Sequence, residues 1–228
     1  MNDHVRDLES VREATDRLLA AVAGLDNAAV AAPSRLPGWT RGHVLAHLSR
    51  NADALVNVLA GRPMYASAAD RDGDIDRDAP RGQGEQLADL RASAERFQQE
   101  AAVDADWSRA VELRNGVIDT ASRLPFRRLI EVELHHVDLG IGYDLEHLSA
   151  DFTRREIDFL TDRFSGNAAL PRIAVTATEG GQWTTGRADG DVVSVTGPSA
   201  DLLGWLAGRR EGAGLKCDGG PLPVLPAL

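Results

Sequence analysis

Apolar residues recur at helical spacing through roughly the first two thirds of the chain and at alternate positions in a stretch beyond Pro171. Val5, Leu8, Val11, Leu18, Leu19 and Val22 predict a first helix over about residues 3–22, stopped at Gly24. In "SRLPGWTRGHVLAHLSRNADALVNVLAG", Pro37-Gly38 signals a turn, Thr40 is a helix cap, and Val44, Leu48, Leu55 and Leu59 form a stripe that ends at Gly61. A third helix is predicted over 84–103, and a fourth opens at Leu124-Pro125, where proline in the first turn costs no hydrogen bond. It runs on through "FRRLIEVELHHVDLGIG", and a further amphipathic segment, "DFTRREIDFLTDRF", follows. Between the second and third helices, "GRPMYASAADRDGDIDRDAPRGQ" is rich in Asp, Arg, Gly and Pro, and is expected to be a long loop.

Past Pro171 the period changes from helix to strand. "RIAVTATE", "QWTTGR" and "DVVSVTG" are β-branched, alternating and separated at hairpin-like intervals. "GPSADLLGWLAGRR" then reads as a helix begun at Pro198-Ser199 and stopped at Gly208. The expected architecture is a four-helix bundle over residues 1–165, followed by a small α+β domain over 166–228 whose antiparallel sheet is a meander carrying one helix.

Composition narrows the function classes. The net charge of −10 over 228 residues, with no Lys/Arg cluster, argues against a nucleic-acid or anionic-membrane surface. The opening "MNDHVRDLESVREATDRLL" is too charged for a secretory signal, and no apolar run approaches the ~18 residues of a membrane span. Cys217 is the single cysteine, so an intramolecular disulfide and a Cys-rich zinc site are both excluded. A cytoplasmic monomer is the expectation.

One stretch is chemically out of place. "LIEVELHHVDLGIGY" sets Glu131, Glu133, His135, His136 and Asp138 into an apolar helical run, where ionisable groups need partners. Ile130, Leu134, Val137 and Ile141 form one ridge by their spacing, with Glu131, His135 and Asp138 on the ridge beside it. A carboxylate and an imidazole at i and i+4 converge on one point, the spacing by which metal sites take two ligands from one helix. Glu133 and His136 converge on another face, farther from that ridge, and rank lower. On the second helix His43 and His47 lie one turn apart, and His47 is nearer the apolar arc. Asn51, a turn further on, is placed to orient a ligand or substrate. His47, Glu131 and His135 would complete a three-ligand divalent-metal site with positions left for water or substrate. The same spacing also suits a helix-face ion pair between Glu131 and His135 beside a half-buried His47. His4 and His147 fit solvated roles.

The blocks "LPGWTRGHVLAHLSRNADAL", "PMYAS…RDGDI", "RLIEVELHHVDLGIGY" and "GPSADLLGWLAGR" resemble, in order and over nearly the whole chain, the mycothiol-dependent maleylpyruvate isomerases. These are DinB-like metal-binding bundles with a C-terminal domain like that of sterol-carrier proteins. The resemblance implies a zinc site, or one for another divalent metal, at His47, Glu131 and His135. It also implies an essential arginine at the end of the last helix, carried onto Arg209 with Arg210 as the fallback. The implied reaction is isomerisation of maleylpyruvate to fumarylpyruvate in aromatic breakdown through gentisate, with mycothiol as the thiol.

The chemistry agrees with such residues. A cis double bond becomes trans if a thiolate adds to it, rotation follows and the thiolate leaves. Cys217 is a poor nucleophile, since "GLKCDGG" holds no base and one cation, Lys216. Arg209 offers a planar fork to a carboxylate of the dianionic substrate. Asp138 is a candidate acceptor for a ligand imidazole, or else a surface ion-pair partner. Tyr65, in the expected loop, either touches substrate or thiol or packs. For Arg209 to serve the metal, the two halves are expected to pack with the end of the last helix facing it. The alternatives are a mycothiol S-transferase acting on another electrophile, and a non-catalytic binder of a small apolar molecule.

Overall fold

The computed structural model describes residues 4–103 and 105–227. The chain divides into two compact units, Met1–Tyr143 and Asp144–Leu228. The first is built on four long helices: α1 (His4–Ala23), then, after a short α2 (Asn27–Ala31), α3 (Arg41–Leu59), and, beyond α4 (Ala68–Asp78), α5 (Gln83–Ala101), with α6 (Leu124–Asp138) closing the unit. Asp3, where the first helix was expected to start, lies outside the described residues. α1 packs against α5 and α6, and α3 against the same two, so the four helices close a ring. Its centre is filled by Val11, Leu18, Leu45, Leu48, Leu90, Phe97 and Val132. Thr40 caps α3 as expected, accepting from the His43 amide at 3.3 Å.

Three features of this unit differ from the sequence reading. The expected loop over 61–83 contains the helix α4, capped by Ser67, whose hydroxyl accepts from the Asp70 amide at 3.0 Å. α4 has no apolar stripe to betray it, since Ile75 and Asp78 are its only buried residues. It is held by charge. The fully buried Asp78 carboxylate meets Arg77 at 2.9 Å, Arg81 at 2.6 Å and Arg50 of α3 at 3.5 Å. Its end also presses on α3, where a Cβ at Gly42 would stand 2.1 Å from the Ala79 carbonyl oxygen. Second, a hairpin precedes α6, with β1 (Ala110–Glu112) antiparallel to β2 (Ile118–Thr120). Asn115 at φ 60° and Gly116 at φ 70° turn its tip, the Asn-Gly pair that two-residue reversals favour. Third, the buried side of α6 is wider than the ridge that spacing suggested. Leu134 and Val137 of that ridge are buried and Ile130 and Ile141 half-buried, but Leu129, Val132, Glu133 and His136 are buried as well.

The second unit opens with α7 (Ala150–Phe164), followed by β3 (Arg172–Ala177), β4 (Gln182–Thr185), β5 (Val192–Gly197), α8 (Ser199–Leu206) and β6 (Lys216–Asp218). The helical bundle followed by a small α+β domain matches the expected fold class. The unit boundary lies at 143/144 and not at 165/166. α7 is helical, as its period indicated, but packs on α8 and β4, with Thr185 Oγ1 donating to the Thr161 carbonyl at 2.6 Å. The sheet order is β4-β3-β5-β6. The β3/β4 and β5/β6 pairs are antiparallel, but β3 and β5 run parallel in register Ile173↔Val193, so the strands do not follow one another as a meander. Buried Ile173, Val175, Val193 and Val195 alternate with less buried neighbours, and α8 packs on β3 and β5.

Candidate metal centre

α3 and α6 pack side by side and bring His47, Glu131 and His135 together, each offering a ligand atom within 4.8 Å of the others'. His47 Nε2 lies 3.0 Å and His135 Nε2 3.2 Å from the same oxygen, Glu131 Oε2. The two imidazole rings meet edge-on with centroids 4.7 Å apart, and the Trp39 ring meets His47 at 5.6 Å. Two nitrogens and a carboxylate oxygen converging in this way fit a divalent metal, whose attraction for all three would replace the shared contact. Behind His135, Asp138 is fully buried and its Oδ2 lies 2.9 Å from Nδ1. A hydrogen on Nδ1 directed at that carboxylate leaves the Nε2 lone pair facing the cluster.

The electrostatics follow from this crowding. Burial lowers the pKa of His47, with Glu131 pulling against it. Desolvation works against the Glu131 charge, but hydrogen bonds from His135 and His47 outweigh it and hold the carboxyl well below its usual range. Burial likewise opposes charge on His135, yet Asp138 and Glu131 prevail and raise it.

Two arginines that the sequence reading did not single out belong to this neighbourhood. Arg71 of α4 places Nη2 3.3 Å from His47 Nδ1, and its guanidinium carbon lies 6.0 Å from the Tyr65 ring centroid. Burial raises the Tyr65 hydroxyl pKa, so it stays protonated and available as a donor. Arg128, one turn before Glu131, is 1% exposed. It donates through Nη1 to the Leu48 carbonyl and to Asn51 Oδ1, both at 2.8 Å, while its buried Nη2 has no partner. Burial lowers it to about 10. Asn51 is thus engaged by Arg128 and stands outside the cluster of three. The signal for Arg71 was its place in "RDGDI"; for Arg128 it was a cation one turn from Glu131 on an otherwise apolar face.

The remaining candidates lie elsewhere. His43 sits at the α3 cap with its Nδ1 2.7 Å from Thr40 Oγ1. Glu133 accepts from Arg17 at 2.6 Å and from the Tyr143 hydroxyl at 2.8 Å, and His136 stacks on Tyr143 with centroids 4.0 Å apart. In the second unit, Arg209 Nη1 donates to the Ala207 carbonyl at 2.7 Å, whereas Arg210 is held by Asp201 at 2.7 Å and Glu146 at 2.6 Å. Cys217 lies on β6 opposite Val195, and partial burial followed by the charge of Asp218 pushes its thiol up.

Comparison with known proteins gives a consistent result. Residues 11–140 match the family described as the mycothiol maleylpyruvate isomerase N-terminal domain, and residues 147–227 match the C-terminal domain of the same enzymes. Two solved structures are similar over 99% of this chain and 97% of theirs, each with a TM-score of 0.87 and 24% identity. One is a mycothiol-dependent maleylpyruvate isomerase and the other a histidine-to-alanine mutant of that enzyme. No curated protein matches the chain.

Proposed function

The chain belongs to the mycothiol maleylpyruvate isomerase family, and on that premise we propose that it isomerises maleylpyruvate to fumarylpyruvate with mycothiol as the attacking thiol, in aromatic breakdown through gentisate. The observation that carries the reading is the convergence of His47 Nε2, Glu131 Oε2 and His135 Nε2 beside the Arg71 cation. Zinc, or another divalent metal, held by those three atoms would supply Lewis acidity and would favour a thiol in its thiolate form at neutral pH.

The chain's own groups then have separable tasks. Asp138 fixes the His135 ring, so that Nε2 faces the cluster. The thiolate adds to the alkene carbon conjugated to the carbonyl, and the π electrons move onto the carbonyl oxygen as an enolate. Rotation about the resulting single bond is followed by collapse of the enolate and loss of the same thiolate, so no proton is gained or lost overall. Arg71 and the deeply placed Arg128 lend positive potential to that developing charge, and Tyr65 Oη, kept protonated, is a donor for the enolate oxygen. Asn51 acts through Arg128, which it anchors. Arg209 takes a substrate carboxylate in its fork, a role carried by the family resemblance, while Arg210 is committed to Asp201 and Glu146. Cys217 stays protonated, which leaves the addition to an external thiol.

The deciding experiment follows maleylpyruvate absorbance with zinc-loaded protein, with and without mycothiol. Turnover should require the thiol, and Arg209→Ala should lose activity while retaining the metal. Undiminished turnover in thiol-free buffer would overturn the mechanism. Conjugation of mycothiol to other electrophiles, without isomerisation, would assign the chain to thiol transfer instead.

A further inference from the structure

Most arginines around α4 are tied to carboxylates, as Asp78 shows with Arg50, Arg77 and Arg81. A second group is not. A cavity of about 630 Å³ opens within the first unit between the segment 61–68 and the β1–β2 hairpin, and Arg62, Arg109 and Arg114 line it. Small-molecule sites typically enclose about 300–1,000 Å³. Arg62 donates to the side-chain amide oxygen of Asn57 at 3.1 and 3.0 Å, and Arg109 to the Leu59 carbonyl at 2.5 Å. Among the described residues none of the three forms an ion pair. Of the carboxylates nearby, Glu112 lines the same cavity and is exposed, Asp106 feels the charge of Arg109, and Asp70 accepts from the hydroxyl of Ser67 in the wall.

Tyr65 links the cavity wall to a residue beside the candidate metal centre. It is part of that wall, and the Arg71 guanidinium lies over the Tyr65 ring and reaches His47 with Nη2. The Tyr65 hydroxyl feels Arg114 on the cavity side and Arg71 and Glu131 on the other. On a chain with a net charge of −10, three guanidiniums in a concavity are a local inversion of sign. Such a pocket focuses its field between low-dielectric walls and concentrates ligands of opposite charge. A hydroxyl-rich neutral thiol carrier does not call for three cations, but a molecule bearing two carboxylates does.

We propose that this cavity is a capture site for the dicarboxylate substrate, in which Arg62 and Arg114 bind a carboxylate before the molecule passes Tyr65 to His47, Glu131 and His135. This deepens the proposed function and rests on it for the identity of the substrate. Arg109 keeps the cavity's shape through its bond to the Leu59 carbonyl.

The test uses maleate, a stable dicarboxylate, titrated calorimetrically into the full-length protein. Maleate should bind both the zinc-loaded wild type and His47→Ala, because no ligand of the metal lines the cavity. The double variant Arg62→Gln/Arg114→Gln should weaken binding at least about tenfold, and the remaining affinity should depend less on salt. In turnover the same variant should raise the KM for maleylpyruvate with kcat and zinc content unchanged. Arg114→Gln alone, a change at an exposed hairpin tip, should show a smaller shift in the same direction and guards against misfolding of the double variant. Unchanged maleate affinity in both variants, or loss of binding in His47→Ala, would overturn the capture site. So would a rise in the KM for mycothiol with that for maleylpyruvate unmoved, which would give the cavity to the thiol. Maleate binding through these arginines in a wild type that does not isomerise maleylpyruvate would keep the anion site and remove the functional reading alone.

Discussion

Two sides of α6 carry the same kinds of residue to different ends. On one side Glu133 and His136 are buried, and each has a committed partner: Arg17 and Tyr143 for the carboxylate, the face of Tyr143 for the ring. On the other side Glu131 keeps 31% of its side chain exposed and is approached by two imidazole nitrogens at once. The first arrangement is closed, since its charges and donors are spent within the protein. The second gathers three atoms on one point, with an orienting carboxylate behind one ring and a cation beside the other. Burial is therefore a poor guide to the working pair. The more deeply buried Glu and His hold the helix in place, and the half-buried ones face inward to a common centre.

The two sides should respond oppositely to substitution. The largest effect is expected for Glu131→Gln or His135→Ala. Each should take metal content from close to one per chain to near zero by elemental analysis, while His136→Ala should leave it unchanged. The reverse outcome would exchange the roles of the two sides. Next comes Asp138→Asn, which should weaken metal affinity about 10- to 100-fold in a chelator competition, because the ring it orients is left less basic and less fixed. Glu133→Gln should leave the metal bound and lower stability by about 1–2 kcal/mol in urea unfolding, through loss of the charge-assisted bond to the half-exposed Arg17. Smallest of all, Cys217→Ser should leave turnover nearly intact. In the wild type a thiol pushed up in pKa means that alkylation by iodoacetamide is slower at pH 8 than for a free cysteine peptide, and keeps accelerating above about pH 9. A fast, saturating reaction near neutrality would contradict the assigned state of that thiol.

The elements whose stripes run for several turns were legible from spacing: α1, α3, α5 and α6 stand close to where the sequence placed them. α4 was not, because its stability comes from Asp78 and its three arginines, and a helix pinned by charge at one end has the composition of a loop. α7 was legible as a helix but not as a member of the second unit, since an amphipathic pattern shows that a face is buried and not against what. The parallel pairing of β3 with β5 is invisible for the same reason: alternation sets which residues face inward but not which strand lies alongside. In the candidate site, the meeting of His47 with Glu131 and His135 was suggested by i, i+4 spacing on α6 and one inward histidine on α3. Arg71 and Arg128 are faint in the sequence because their partners, His47 and Asn51, are distant along the chain and arginine is ordinary on any helix.

The contact between Gly42 and the Ala79 carbonyl has a consequence for how this protein can diversify. That seat joins backbone to backbone, and Gln86 of α5 bridges the two strands of chain by donating to the carbonyls of Gly42, Asp78 and Ala79 at 3.3, 2.9 and 3.3 Å. No side chain at 42 is needed, and none is tolerated. The seat of the C-terminal end of α4 therefore does not depend on the identity of residue 62, whereas the start of the helix needs the Ser67 cap. Arg62 is then free to be exchanged for a residue suited to a different acceptor, while the residue five places after Gly42 on α3, His47, is held where it is. One backbone contact at Gly42 thus fixes the metal ligand on α3 and leaves the capture arginine at 62 open to exchange.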